Sequence, residues 1–169
     1  MSLNLVIPPG VNALMKTYYL KTRQFLPISL SHAWGFFSSP RNLALITPKR
    51  LNFEILSISG GEKMFKGQVI QYKITVLPLV RMFWETEITE VREPVFFSDT
   101  QRKGPYARWV HKHTFTEVEG GVEMMDELEY AIPVGLLGRL AHFLFVGREV
   151  KSIFDYRFSV LEKHFNKKN

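Results

Sequence analysis

The 169-residue chain has no cysteine. This excludes a disulfide framework, thiolate metal centres and cysteine nucleophiles, and it suits a reducing compartment. Long apolar runs are missing too. The most hydrophobic stretch, AIPVGLLGRLAHFLFVG (131–147), carries Arg139 and His142 and falls short of a membrane span. There is no Gly-x-Ser-x-Gly elbow, Walker loop or Gly-x-Gly-x-x-Gly fingerprint, so the familiar nucleophile and phosphate-binding signatures are lacking. Nor is there a repeat or low-complexity linker to mark an internal boundary. The opening MSLNLVIPPGVNAL has no basic start, and Pro8-Pro9-Gly10 breaks its short apolar run, which makes a poor signal peptide. The expectation is a cytoplasmic protein in which residues 1–15 form an N-terminal extension, native or added, and 16–169 form one domain.

Acid is the scarcer charge. Lys and Arg number 22 against 16 Asp and Glu, giving a formal net charge of +6. Residues 139–169 hold seven basic and three acidic side chains, so +4 of that excess sits in one helical face and a ragged tail. An aromatic-and-basic binding sheet would distribute charge differently, so nucleic acid is not an expected partner. A weak contact between the C-terminal helix and an anionic membrane, through Lys151 and Lys163, is a candidate. With 46% hydrophobic residues the chain can bury a core without staples.

Turn chemistry divides the chain. KTYYLKTRQFL (16–26) is rich in β-formers and reads as a first strand ended by Pro27. Ser29 is placed to cap one short helix, and Ser39-Pro40 to open a second that Pro48 ends. Six strand-like runs follow, near 50–58, 66–76, 81–91, 95–102, 108–117 and 122–131. Gly60-Gly61, Leu77-Pro78, Glu93-Pro94, Gly104-Pro105 and Gly120-Gly121 separate them. Such short links favour antiparallel neighbours. After Pro133 and Gly135, apolar residues at 150, 153, 154, 158, 161 and 165 mark one face of a long helix, with Gly138 and Gly147 placed to kink its start. The predicted order is β-αα-β6-α: an α+β fold whose seven-stranded antiparallel sheet and amphipathic helix bury each other's apolar faces.

Polar groups interrupt that inner face. Successive strand residues point to opposite sides, so in GPYARWVHKHTF (104–115) Trp109, His111, His113 and Phe115 share one side. In the last strand Glu123, Glu127 and Glu129 belong in water, leaving Val122, Met124, Asp126, Leu128 and Tyr130 inward. Gln101 follows Phe97 and Asp99 on the strand between. An unpartnered inward acid costs roughly 1–3 kcal/mol or more, so these groups either satisfy each other or face a wet cavity. Three readings are open: a structural hydrogen-bond network, the polar end of an apolar ligand pocket, or a metal or acid–base site. His111, His113 and Glu117 form a His-x-His-x3-Glu pattern like the first metal motif of cupins, but no second motif follows and a cupin does not end in some thirty helical residues.

Taken together, SHAWGFFSSPRNLALITP (31–48), WETEITEV (84–91), GPYARWVHKHTF, DELEYAIPVG (126–135) and IFDYRFSVLEKHF (153–165) resemble a bacterial ligand-binding branch of the START and birch-pollen-allergen superfamily, known as SRPBCC. The likeness covers about residues 16–165. The resemblance implies a helix-grip fold, in which the sheet wraps the C-terminal helix around a cavity for hydrophobic molecules. Across the superfamily such cavities take lipids, sterols, polyketides or quinones, and some members are cyclases or aromatases. Trp84, Trp109, His111, His113, Asp126, Tyr130 and Arg157 match its motifs. The leading expectation is therefore a binding or carrier protein for a lipid, polyketide, quinone or similar molecule, without cofactor or resident metal. Trp84, Gln101, Trp109, His111, His113, Asp126 and Tyr130 form its candidate ligand site. The alternatives are a cyclase, dehydratase or hydrolase using a His–Asp pair from His111, His113 and Asp126, and an interaction module docking through the basic C-terminal helix.

Overall fold

A computed structural model describes residues 15–77 and 80–166. The expected extension, apart from Met15, lies outside the described residues, as do Pro78 and the basic tail at Lys167 and Lys168. Strand β1 (Thr17–Leu26) leads into helix α1 (Leu30–Phe37), capped by Ser29, whose hydroxyl accepts from the His32 amide at 3.3 Å. The second helix expected from the sequence is not an α-helix. Pro40–Ala44 forms a short 3-10 segment, Ser39 makes no side-chain cap, and Lys49–Leu51 forms another 3-10 turn. Asn52 then adopts a left-handed conformation (φ 44°), so strand β2 begins at Glu54 rather than near residue 50. The remaining strands are β3 (Val69–Leu77), β4 (Val80–Arg92), β5 (Phe96–Lys103), β6 (Arg108–Val118) and β7 (Gly121–Ala131).

All seven strands form one antiparallel sheet in the order β1-β7-β6-β5-β4-β3-β2. Burial alternates along the inner strands. Ile70, Tyr72 and Ile74, then Trp84, Thr86 and Ile88, and every second residue from Val122 to Tyr130 are buried on the inner face. On the outer face Glu127, Glu123 and Glu129 pair with Lys21, Arg23 and Arg108 across β1, β7 and β6. Gly121 holds the turn into β7 because an added Cβ there would collide with the Leu26 carbonyl.

The C-terminal rod is α2 (Gly135–Ala141), a π turn (His142–Val146) and α3 (Gly147–Phe165). The glycines do not break it. Gly138 lets the rod lie against the Pro133 carbonyl, where a Cβ would clash, and Gly147 leaves room for the His142 ring. The stripe that α3 buries is Val150, Phe154, Arg157 and Leu161, in steps of four, three and four. Phe158, expected on that stripe, is instead 45% exposed, and the cation Arg157 takes the inward place. Polar contacts also fix α3 to the rest: among them, Gln24 donates to the Phe158 carbonyl (3.0 Å), and Arg50 to Ser152 Oγ (2.7 Å).

Candidate functional site

The sheet and α3 do not meet everywhere. Between them lies a cavity of about 730 Å³, walled by Ile74, Met82, Trp84 and Trp109 from the sheet and by Ile153 and Phe154 from the helix. Arg50 and Glu149, an ion pair, stand among its lining residues, and Tyr106 comes in from the β5–β6 loop. A second space of about 120 Å³ is lined by Asp99, His111 and His113. Leu43, Tyr72, Trp109 and Arg157 line both, so the polar cluster sits behind the apolar cavity.

The cluster is built by register. On β6 His111 lies opposite Asp99 of β5, and His113 lies opposite Asp126 of β7. His111 Nε2 is 3.2 Å from Asp126 Oδ1, a hydrogen bond, while His113 Nδ1 is 2.6 Å from the same oxygen. The second contact is close but poorly aligned for a hydrogen bond, so it acts as an ion pair. Each imidazole turns its other nitrogen toward Asp99 Oδ2, at 3.8 Å from His111 and 3.7 Å from His113. From α3, Arg157 Nη1 stands 3.6 Å from Asp126 Oδ2. Phe97 stacks on His113 and Phe154 meets His111 edge-on, which fixes both rings.

These neighbours drive the imidazoles apart. Burial lowers the His111 pKa, the adjacent His113 charge lowers it further, and the carboxylates of Asp126 and Asp99 only partly oppose this. His113 feels the same burial penalty, but Asp126, with help from Asp99, outweighs it and raises its pKa. For Asp126 burial alone would raise the pKa; the charge of His113 and the close contacts with both imidazoles instead hold it well below the usual carboxylate range. Ring centroids 3.9 Å apart explain the split: two adjacent buried imidazoles do not both take a proton. The cluster thus sets the Arg157 guanidinium and two imidazoles of opposed pKa shift against the carboxyl groups of Asp126 and Asp99.

Trp84 and Trp109 thus line the large space, and His111 and His113 the small one. Trp84 Nε1 is a buried donor without a hydrogen-bond partner among the described residues. Asp126 stands behind the imidazoles and is in neither wall. Gln101 is also outside both walls. Its amide donates to the Tyr106 carbonyl (2.7 Å) and accepts from the Tyr106 amide (3.3 Å), stapling the β5–β6 loop. Tyr130 is likewise engaged elsewhere: its hydroxyl meets His142 Nε2 at 2.8 Å, and burial pushes its pKa up to about 12. Sequence reasoning passed over Asp99 and Tyr72 as site residues. Their signals were the inward parities of Phe97 and Ile70.

Asp99, His111 and His113 each offer one ligand atom, all within 4.8 Å of one another, with Asp126 behind the imidazoles as an orienting carboxylate. That is the donor set for a divalent cation, but the Arg157 guanidinium shares the same small space. Glu117 is exposed at the end of β6 and takes no part in the cluster, so the His-x-His-x3-Glu spacing does not form a metal site.

No protein-family profile matches the chain, and no curated protein sequence resembles it. Solved structures do. A Chromobacterium violaceum protein superposes with a TM-score of 0.66 at 10% identity, covering 89% of this chain and 98% of its own. Ara h 8.0201 gives 0.60 at 14% identity, covering 90% and 100%. Major latex-like protein 151 of Panax ginseng gives 0.62 at 11% identity, covering 89% of this chain and 98% of its own. The chain therefore has the α+β helix-grip fold expected from its sequence. No helix among the described residues is long and apolar enough to cross a membrane.

Proposed function

We propose that the protein binds a small, mainly apolar molecule between the sheet and α3. The observation that carries this reading is the 730 Å³ space walled by aromatic and aliphatic side chains, within the roughly 300–1,000 Å³ typical of ligand pockets. Its apolar wall supplies affinity through burial, and the Arg157–His–Asp cluster behind it supplies a polar terminus for a carbonyl, hydroxyl or carboxylate. Membership of the SRPBCC superfamily belongs to this proposal, as does a lipid, polyketide or quinone ligand. Native mass spectrometry of freshly purified protein, followed by titration with the uncharged probe phenylnaphthylamine, tests it. A saturable complex of one probe per chain is expected; no saturable binding at micromolar protein would refute the reading.

A second reading rests on the imidazoles. His111, with its pKa lowered, beside His113, with its pKa raised, pairs the readier base with the readier acid, which suits a cyclase, dehydratase or hydrolase. The two functions separate on substitution. In a carrier, His111→Phe and His113→Gln leave the apolar probe bound. In an enzyme, either change abolishes turnover of an apolar substrate while the probe still binds.

A further inference from the structure

The surface of the C-terminal rod departs from the usual pattern. Leu136, Leu137, Leu140, Phe143 and Leu144 are 48–81% exposed, at spacings i, i+1, i+4, i+7 and i+8. That is the periodicity of a helix face meant for burial, and here it faces water. The orientation is fixed from beneath. His142 stacks on Tyr18 of β1 (centroids 3.4 Å apart) and bonds to Tyr130 of β7, which pins the π turn to the sheet edge and turns the leucines and Phe143 outward. The stripe reaches the ligand cavity, because Phe145 and Val146 at its end line that space together with Ile132.

We propose that this stripe inserts into the headgroup–acyl boundary of an anionic lipid bilayer, placing the cavity next to the membrane so that an apolar ligand can pass between them. The inference rests on the binding function proposed above. Charge decides between a bilayer and a second copy of the chain. From Tyr130 to Arg148 there is no acidic residue, while Arg139 and Arg148 are exposed on the same rod. Self-association would set these cations against their own copies. Anionic headgroups complement them, and apolar side chains flanked by arginine are what an interfacial helix requires. This surface is distinct from the Lys151 and Lys163 face suggested by the sequence.

The test is co-sedimentation of the full chain with vesicles of phosphatidylcholine alone and of phosphatidylcholine mixed with phosphatidylglycerol, with no apolar probe added. Wild-type protein is expected to partition onto the mixed vesicles and to be released by high salt. Leu140→Glu combined with Phe143→Glu is expected to lower that partitioning by about tenfold or more. An unchanged melting temperature for the variant shows that it folds. Tyr19→Ser, at a 75% exposed residue on β1, serves as a control that leaves partitioning unaltered. Equal binding by wild type and double variant overturns the proposal. So does a wild-type dimer in sedimentation velocity that the double variant dissociates, with no vesicle binding. Phenylnaphthylamine titration without vesicles reads the cavity separately, so failure of docking and failure of ligand binding are distinct results.

Discussion

Replacing Asp126 with Asn keeps the volume of the side chain and removes its charge. The wild-type carboxylate is 2% exposed and stands within 3.6 Å of His111, His113 and Arg157. Removing it leaves the Arg157 guanidinium without its carboxylate and the imidazoles with Asp99 alone, at about 3–5 kcal/mol. With a urea dependence of about 2 kcal/mol per molar, the unfolding midpoint should fall by roughly 1.5–2.5 M. The pH profile carries a second signature. His113 has a raised folded pKa, so its contribution is complete below the unfolded value near 6.5 and fades as pH climbs through the folded value. His111 has a lowered folded pKa, so its contribution is present above about 6.5 and is lost as pH falls through the folded value. Wild-type stability should therefore decline on both sides of a maximum near pH 6.5. Without Asp126, burial lowers both imidazoles, and stability should instead rise with pH to a plateau. Urea titrations from pH 5 to 8 measure both effects. A midpoint shift below about 0.5 M, with the same pH profile in both proteins, would refute the electrostatic account.

Three further outcomes follow from named contacts. Gln101→Ala should speed amide exchange of residues 104–107 while costing only about 1 kcal/mol globally, since the loss is two hydrogen bonds to Tyr106. Tyr130→Phe should destabilise by about 0.5–1.5 kcal/mol through its bond to His142, a modest fall in melting temperature seen by calorimetry. Arg50→Ala, which unlatches the Lys49–Leu51 turn from Glu149 and Ser152, should quicken phenylnaphthylamine release in stopped flow several-fold, more than it weakens binding at equilibrium.

Much of the site was legible from strand parity. Alternation around Glu123, Glu127 and Glu129 put Asp126 inside, and the same rule put His111 and His113 beside Trp109 and Phe115, as observed. What parity does not show is which polar group meets which. Gln101 shares the side of Phe97, yet the adjacent loop captures its amide; a turn closing on its own strand leaves no trace in periodicity. Parity likewise puts Asp99 inside without saying that the β5–β6 register sets it opposite His111. Apolar spacing also misled on α3. It included Phe158 and skipped Arg157, because a buried cation is recognisable only once its carboxylate is in place. The π turn is equally silent in sequence, being set by the tertiary contacts of His142 with Tyr18 and Tyr130.

The most direct measurement is energy transfer from the tryptophans that line the cavity to bound phenylnaphthylamine, comparing wild type with Ile74→Trp combined with Ile153→Trp, which narrows the space from both the sheet and α3. The account predicts saturable transfer in the wild type and markedly weaker binding in the narrowed variant, with the exposed-stripe variant Leu140→Glu/Phe143→Glu behaving like the wild type. Undiminished probe affinity after the cavity is narrowed from both walls would contradict it.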